Sequence, residues 1–254
     1  MTNTNRLAVI TGGSRGLGKN TALHLAKAHV DSVITYRSHP EEARAVVAEL
    51  EKAGVKAAAL PFDASKSATF EGFVTTLKQT LEQRFGRQRF DFLVNNAGHG
   101  LMKPFTDTTE AELDELFAVH VKAPYLLTQR LLPLLADGGR VLNVSTGLAR
   151  FTLPGYSAYA AMKGAIEVLT RYQAKELGAR GISVNVIAPG AIETDFGGGH
   201  VRDNPQLNQM IGSFTALGRA GKPDDIGGVI ASLLAGDTRW INGQRIEASG
   251  GMNL

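Results

Sequence analysis

Leu7-Ala8-Val9-Ile10-Thr11-Gly12-Gly13-Ser14-Arg15-Gly16-Leu17-Gly18 runs from a short apolar strand into a glycine turn, and a segment of helical period opens inside that turn. Glycines at such a corner let the chain bend sharply and let backbone N–H groups approach a pyrophosphate, while the positive end of the next helix faces the anion. A glycine motif alone is weak, but this one follows the first strand and opens the first helix, as a nucleotide cradle requires. Its spacing is Gly-x-x-x-Gly-x-Gly at Gly12, Gly16 and Gly18, rather than the commoner Gly-x-Gly-x-x-Gly. A Walker-type loop ends in Gly-Lys-Ser/Thr, whereas this turn continues Gly18-Lys19-Asn20. The turn is therefore read as a dinucleotide site, with Gly12, Ser14, Arg15, Gly16, Leu17 and Gly18 as binding residues, and not as an ATP or GTP site.

Apolar runs at Leu7–Ile10, Ser32–Tyr36, Ala57–Leu60, Asp91–Val94, Arg140–Val144, Ser183–Ile187 and Arg245–Ala248 read as seven strands. Segments of helical period lie between them, near 17–28, 41–53, 67–85, 109–136, 157–178 and 223–235. This βαβ rhythm predicts an α/β fold: a Rossmann-like, doubly wound parallel sheet of seven strands with helices on both faces. No linker, low-complexity tract or internal repeat divides the 254 residues, so one domain over 1–254 is expected. The rhythm breaks at Gly190–Gly218, where Gly197-Gly198-Gly199 precedes VRDNPQLNQMIGSF. An irregular insertion after a strand's carboxyl end is expected to be a substrate loop or lid; the plainer alternative is a surface excursion.

Composition narrows the function classes. Lys and Arg number 27 against 24 Asp and Glu, a net charge of +3. Arg84, Arg87 and Arg89 flank Gly86 and read as a solvated turn, so no basic surface suited to nucleic acid is expected. The chain has no cysteine, which removes disulfides, thiolate zinc sites and thiol nucleophiles. The six histidines show no close pairing of the kind that holds a metal. No run reaches the length of a membrane span, and the polar lead before Leu7 has no signal-peptide pattern; a cytoplasmic location is the default expectation.

Four further segments occur in order: Asn95-Asn96-Ala97-Gly98 after the fourth strand, Tyr159-Ala160-Ala161-Met162-Lys163, Pro189-Gly190 after the sixth strand, and Asn242-Gly243-Gln244 with Gly250-Gly251 near the end. With the glycine turn, these make the chain resemble the short-chain dehydrogenase/reductase family in its short single-domain form, in particular its 3-oxoacyl-[acyl-carrier-protein] reductase-like members. The resemblance spans nearly the whole chain. It implies a nicotinamide cofactor, a small-molecule carbonyl or alcohol substrate, and a homo-oligomer, either dimer or tetramer. It also implies that Asp63, with Ala64 beside it, lies at the adenine. Asn95, Ala97 and Gly98 would line the cofactor, and Pro189, Gly190, Ile192 and Thr194 would hold its nicotinamide side. Tyr159 and Lys163 would touch both cofactor and substrate.

The residues carry this chemistry directly. Tyr159 and Lys163 are four apart and share a helix face. A free phenol titrates near 10, and a neighbouring ammonium is expected to lower that and let Tyr159 act as general acid or base. None of the other four tyrosines has a lysine four places on. A bare Tyr-x-x-x-Lys is more often an ordinary amphipathic helix, but its place among the other motifs favours catalysis. The family also has a serine hydroxyl just past the fifth strand. Spacing back from Tyr159 puts Thr146 there, with Ser145 as the alternative if the loop differs by one residue. His120 stands where the family usually has Asn. It is read either as an altered member of the proton relay to Lys163 or as a core histidine with a satisfied hydrogen bond. Leu113, Leu116, Phe117 and His120 are expected on one inward face. Pro124 has no N–H and would leave the His120 carbonyl free, the carbonyl that in the family holds a relay water. His99 is a candidate lining residue.

Three functional points remain from the sequence. The second strand ends Thr35-Tyr36-Arg37-Ser38, with no carboxylate before Glu41 to bind a ribose 2′-hydroxyl. Arg37, Ser38 and Arg15 instead suit a 2′-phosphate, so NADP(H) is expected in preference to NAD(H). Tyr156, seven residues before Lys163, leaves enoyl reduction as an alternative reaction. The replacement at His120 leaves open a non-catalytic, NADP-binding sensor on the same fold.

Overall fold

The computed structural model describes residues 5–254. Its seven strands are β1 Leu7–Ile10, β2 Asp31–Tyr36, β3 Ala57–Pro61, β4 Phe90–Asn95, β5 Leu135–Val144, β6 Ser183–Pro189 and β7 Arg245–Ala248. They form one sheet in the order β3-β2-β1-β4-β5-β6-β7, every pairing parallel. The order reverses at β1, between β2 and β4, so that helices leave on both faces and a crevice opens at the carboxyl ends.

The apolar alternation of β1 explains the two layers. Leu7 and Val9 point into a core with Phe70, Leu77, Leu81, Phe90, Leu127 and Leu131. Ala8 and Ile10 point into the opposite core with Leu25, Ile34, Val46, Leu50, Ile230 and Leu234. The first core is roofed by α3 Phe70–Phe85, α5 Ala123–Leu131 and α6 Ser157–Leu177; the second by α1 Gly16–Lys27, α2 Pro40–Lys52 and α9 Pro223–Ala235. Each fully buried Leu or Phe contributes about 1.5–3 kcal/mol, so both faces must be covered for the sheet to be stable. No described helix is long and apolar enough to cross a membrane.

Two expectations need correction. The helix expected over 109–136 is broken into α4 Glu110–Phe117, a π turn at Ala118–Lys122 and α5. The Ala123 N–H donates five residues back to Ala118 O, and Pro124 follows with no N–H to offer. Leu113 and Phe117 are also not inward: they are 42% and 47% exposed, while Leu116, Val119 and His120 are buried. The π turn shifts the helical register after Phe117, and His120 packs against Tyr159 on α6. At the other end of the fold, the Gly190–Gly218 excursion holds a 3-10 turn at Phe196–Gly199, α7 His200–Asp203 and α8 Pro205–Ser213. Asn204 caps α8 by accepting the Leu207 N–H at 3.0 Å, and the chain then pairs with the C-terminus through Thr215 and Met252.

Candidate active site

The turn after β1 is held from both sides. Gly13 N–H donates to Thr35 O at 2.8 Å and Gly12 N–H to Thr35 Oγ1 at 3.1 Å. Asn96 Nδ2 donates to the carbonyls of Thr11 and Gly12 at 2.9 and 3.0 Å. Gly12 has φ +67, and a Cβ on Gly18 would stand 2.2 Å from Gly12 O, so this corner is too tight for side chains. The first turn of α1 has no acidic residue and no side-chain cap, which leaves its N–H groups for an anion. Arg15, Arg37 and Ser38 are exposed, and among the described residues neither arginine is paired with a carboxylate. A side-chain-free cradle, uncapped helix N–H groups and two arginines fit a phosphorylated dinucleotide.

The other residues assigned to the cofactor lie at the same edge of the sheet. Asp63 accepts from Ser65 N and Oγ at 3.0 and 2.7 Å. Burial alone would raise its pKa, but the Ser65 hydrogen bonds and the Lys66 and Arg37 charges outweigh it and hold the carboxyl low. Thr194 faces the glycine turn, 3.8 Å from where a Cβ on Gly16 would stand. Gly190 lies against Ser249, and Ile192 forms a bridge with Gly221. Asn95 is different. Its amide is spent in the core on Thr128 Oγ1 (3.0 Å) and Asn143 Oδ1 (2.8 Å), so its side chain braces β4 and β5 and does not line the crevice. The side chain that shapes the cradle is Asn96, missed in the sequence because only its contact with a distant turn gives it a role.

Helix α6 presents Tyr159 and Lys163 on one buried face at the end of β5. Lys163 Nζ donates to Val144 O at 2.7 Å and lies 5.7 Å from the Tyr159 ring centroid. Burial pushes the Lys163 ammonium down to about 7. The expected lowering of the phenol is not seen. Burial raises the Tyr159 pKa above its ordinary value, Tyr156 adds to the rise, and the Thr146 hydroxyl alone opposes it. Burial takes water away from the charged phenolate and so disfavours it. Thr146 is therefore the hydroxyl that bears on Tyr159, while its Oγ1 also accepts the Leu148 N–H at 3.3 Å. Ser145 does not bear on it: its Oγ donates to Glu167 Oε1 at 2.7 Å and approaches Lys163 O at 3.3 Å, behind the site.

His120 packs edge-on against Tyr159, ring centroids 5.3 Å apart, and Phe196 from the excursion reaches the same ring at 5.9 Å. His120 Nε2 hydrogen-bonds His99 O at 2.8 Å; a carbonyl can only accept, so Nε2 carries the hydrogen. Nδ1 is then a buried acceptor with no partner among the described residues. Burial, with Lys163 nearby, pushes the His120 pKa down to about 2, so the ring is neutral. Gly98 is required here, because a Cβ would stand 2.6 Å from His120 Cε1. His99 is 38% exposed, 3.8 Å from Glu115, at the rim.

This geometry has close counterparts. Residues 12–253 match the family described as Enoyl-(Acyl carrier protein) reductase. A hydroxynaphthalene reductase-like protein, Arp2 of Metarhizium brunneum, is 35% identical over 97% of this chain and 94% of its own length. Among solved structures, the promiscuous reductase LugOII, which catalyses keto-reduction at C1 during lugdunomycin biosynthesis, superposes with a TM-score of 0.94 at 37% identity, covering 99% of each chain. The angucycline C-6 ketoreductase LanV with bound NADP gives 0.93 at 32% identity, covering 99% of this chain and 97% of that one. Sequence, sheet order and site geometry converge, and the chain belongs to the short-chain dehydrogenase/reductase family of oxidoreductases.

Proposed function

We propose that this chain is an NADP(H)-dependent ketoreductase working as one catalytic domain in the cytoplasm, with Tyr159 as general acid. The observation that carries this reading is buried Tyr159 and Lys163 with half-buried Thr146 at the end of β5, beside the glycine cradle. When bound, NADPH supplies a hydride to the carbonyl carbon. Tyr159 gives its proton to the carbonyl oxygen, Thr146 hydrogen-bonds that oxygen, and Lys163 stabilises the phenolate left behind; alcohol oxidation runs the same steps in reverse. A phenol whose pKa is raised by burial stays protonated at neutral pH, which suits an acid in the reductive direction. Arg15, Arg37 and Ser38 would take the 2′-phosphate, with Gly12 to Gly18 on the pyrophosphate.

The substrate class follows from the rim together with the relatives. Phe196 is exposed beside Tyr159, and Met102, Leu153, Met210 and Phe214 are exposed on the loops that follow β4, β5 and β6. Such a mouth suits an apolar, flat ketone, and relatives with a matching fold are named for hydroxynaphthalene and angucycline substrates. NADPH consumption across a carbonyl library tests this: fused-ring aromatic ketones should turn over best. The family description and the nearness of Tyr156 to Tyr159 favour one second reading, reduction of an enone C=C bond. Product analysis with a cyclic enone separates the two, since the ketone reading yields the allylic alcohol.

A homo-oligomer, dimer or tetramer, is part of the same proposal. Phe117, Tyr125, Val168 and Tyr172 leave apolar area exposed along α4, α5 and α6, an area suited to a second copy.

A further inference from the structure

The Thr146 hydroxyl caps the following turn by accepting the Leu148 N–H at 3.3 Å, and its main chain is also gripped from across the sheet. Arg245, on β7, reaches past β6 and donates from Nη2 to Thr146 O at 3.3 Å. Its Nε donates to Glu167 Oε1 at 2.8 Å, and the same carboxylate oxygen accepts from Ser145 Oγ at 2.7 Å. Glu167 lies one turn beyond Lys163 on α6. One carboxylate and one guanidinium therefore clasp the residue before Thr146, the carbonyl of Thr146 and the catalytic helix.

The clasp continues outward. Arg245 Nη1 donates to Glu247 Oε2 at 2.8 Å, and Glu247 accepts a two-pronged contact from Arg150 Nε and Nη2, both at 2.7 Å. Arg150 sits in the turn that follows Thr146, and it also donates to the carbonyls of Met252 (2.7 Å) and Asn253 (3.1 Å). Asn253 N–H in turn donates to Phe214 O at 2.8 Å, at the end of α8. The side chains of Glu167, Arg245 and Glu247 are only 14%, 24% and 20% exposed, and Arg150 38%. Two carboxylates and two guanidiniums alternate with no net charge, and loss of any one leaves a partly buried charge unpaired.

We propose that Glu167, Arg245, Glu247 and Arg150 are positioning residues: they hold the Thr146 hydroxyl against the Tyr159 phenol and tie that placement to the base of the substrate lid. The proposal rests on the reading above that Thr146 and Tyr159 act on the carbonyl oxygen. A displacement on the order of 1 Å at a reacting group can lower a rate by about 10²-fold, so a ladder that fixes Thr146 should be read in kcat. A plain brace between β7 and α6 would be read only in stability.

The experiment compares Glu167→Gln, Arg245→Lys, their double variant and Arg150→Lys with the parent enzyme. It measures kcat, ketone KM, NADPH Kd by fluorescence and Tm. Glu167→Gln and Arg245→Lys should each lower kcat by about 10- to 100-fold with NADPH Kd within about twofold. The double variant should lose no more than the worse single, because both cut one unit. Arg150→Lys, at the exposed end by the lid, should raise ketone KM as well as lower kcat. Parent-like kcat and KM with only a lower Tm would overturn the proposal, as would a parallel loss of NADPH binding. If the inner variants do not fold, Arg150→Lys decides by the same criteria. Thr146→Val is run beside them: if it is fully active, the catalytic reading has failed, whereas a dead Thr146→Val beside active ladder variants sinks the ladder alone.

Discussion

Tyr159, Thr146 and Lys163 stand or fall by their individual substitutions. Tyr159→Phe keeps the ring that packs on His120 and Phe196 and removes only the transferable proton. Turnover should drop at least about 10²-fold with NADPH affinity unchanged; near-normal kcat would exclude Tyr159 as the acid. The Lys163 pKa of about 7 gives a pH prediction. Its ammonium is present below that value and lost above it, so kcat/KM for reduction should fall as pH rises through about 7. His120, held neutral, should add no limb above about pH 4. A kcat/KM flat to about pH 9 would contradict the assignment. At the far end of the crevice, Arg37→Asp should shift cofactor preference toward NADH, since it repels a 2′-phosphate and offers an acceptor to a 2′-hydroxyl. An unchanged ratio of kcat/KM values for NADPH and NADH would show that Arg37 is only a solvated strand end.

At the scale of elements, the β1–α1 turn and the Gly190–Gly218 excursion do different work. The turn is braced because the Gly12 and Gly13 N–H groups are paired and Gly12 and Gly18 lie against backbone. Gly18→Ala must push a methyl into Gly12 O, and NADPH binding, followed by fluorescence titration, should weaken by more than tenfold (about 1.4 kcal/mol). Binding at parent affinity would mean that the turn yields and is not the cradle. The excursion is fastened at its base by Thr215, Ala216 and Leu217, which pair with the C-terminal segment, while Phe196 packs against Tyr159. The π turn is a third element with its own task, since it swings His120 under Tyr159 where a regular helix would have continued.

For the whole molecule, the Glu247 ladder predicts an acid response. Glu247 is held down to about 2, first by Arg150, against burial, and then by Arg245 and Ser249. A depressed carboxylate stabilises the fold above its unfolded pKa of about 4.5 and ceases to do so as pH falls toward 2. Glu247→Gln should therefore lower Tm at pH 7, and the gap to the parent should close between about pH 4.5 and 2. A gap constant over that window would mean that Glu247 contributes packing and not charge. The exposed apolar side chains of α4 to α6 bear on assembly, and light scattering should find a dimer or tetramer.

The sequence by itself determined the seven strands, their alternation with helices, the cradle at Gly12 to Gly18 and the pairing of Tyr159 with Lys163. All of these are local: strand and helix periods, a turn that only glycine permits, and a spacing of four on one helix face. Tertiary structure decided the rest, because it depends on which distant groups meet. It turned Ser145 toward Glu167 and Thr146 toward Tyr159, although the two are adjacent and both carry hydroxyls. It committed Asn95 to the core and gave Asn96 to the cradle. It also raised the Tyr159 pKa where spacing had suggested a fall, since burial is a property of the packed molecule and not of the interval to Lys163.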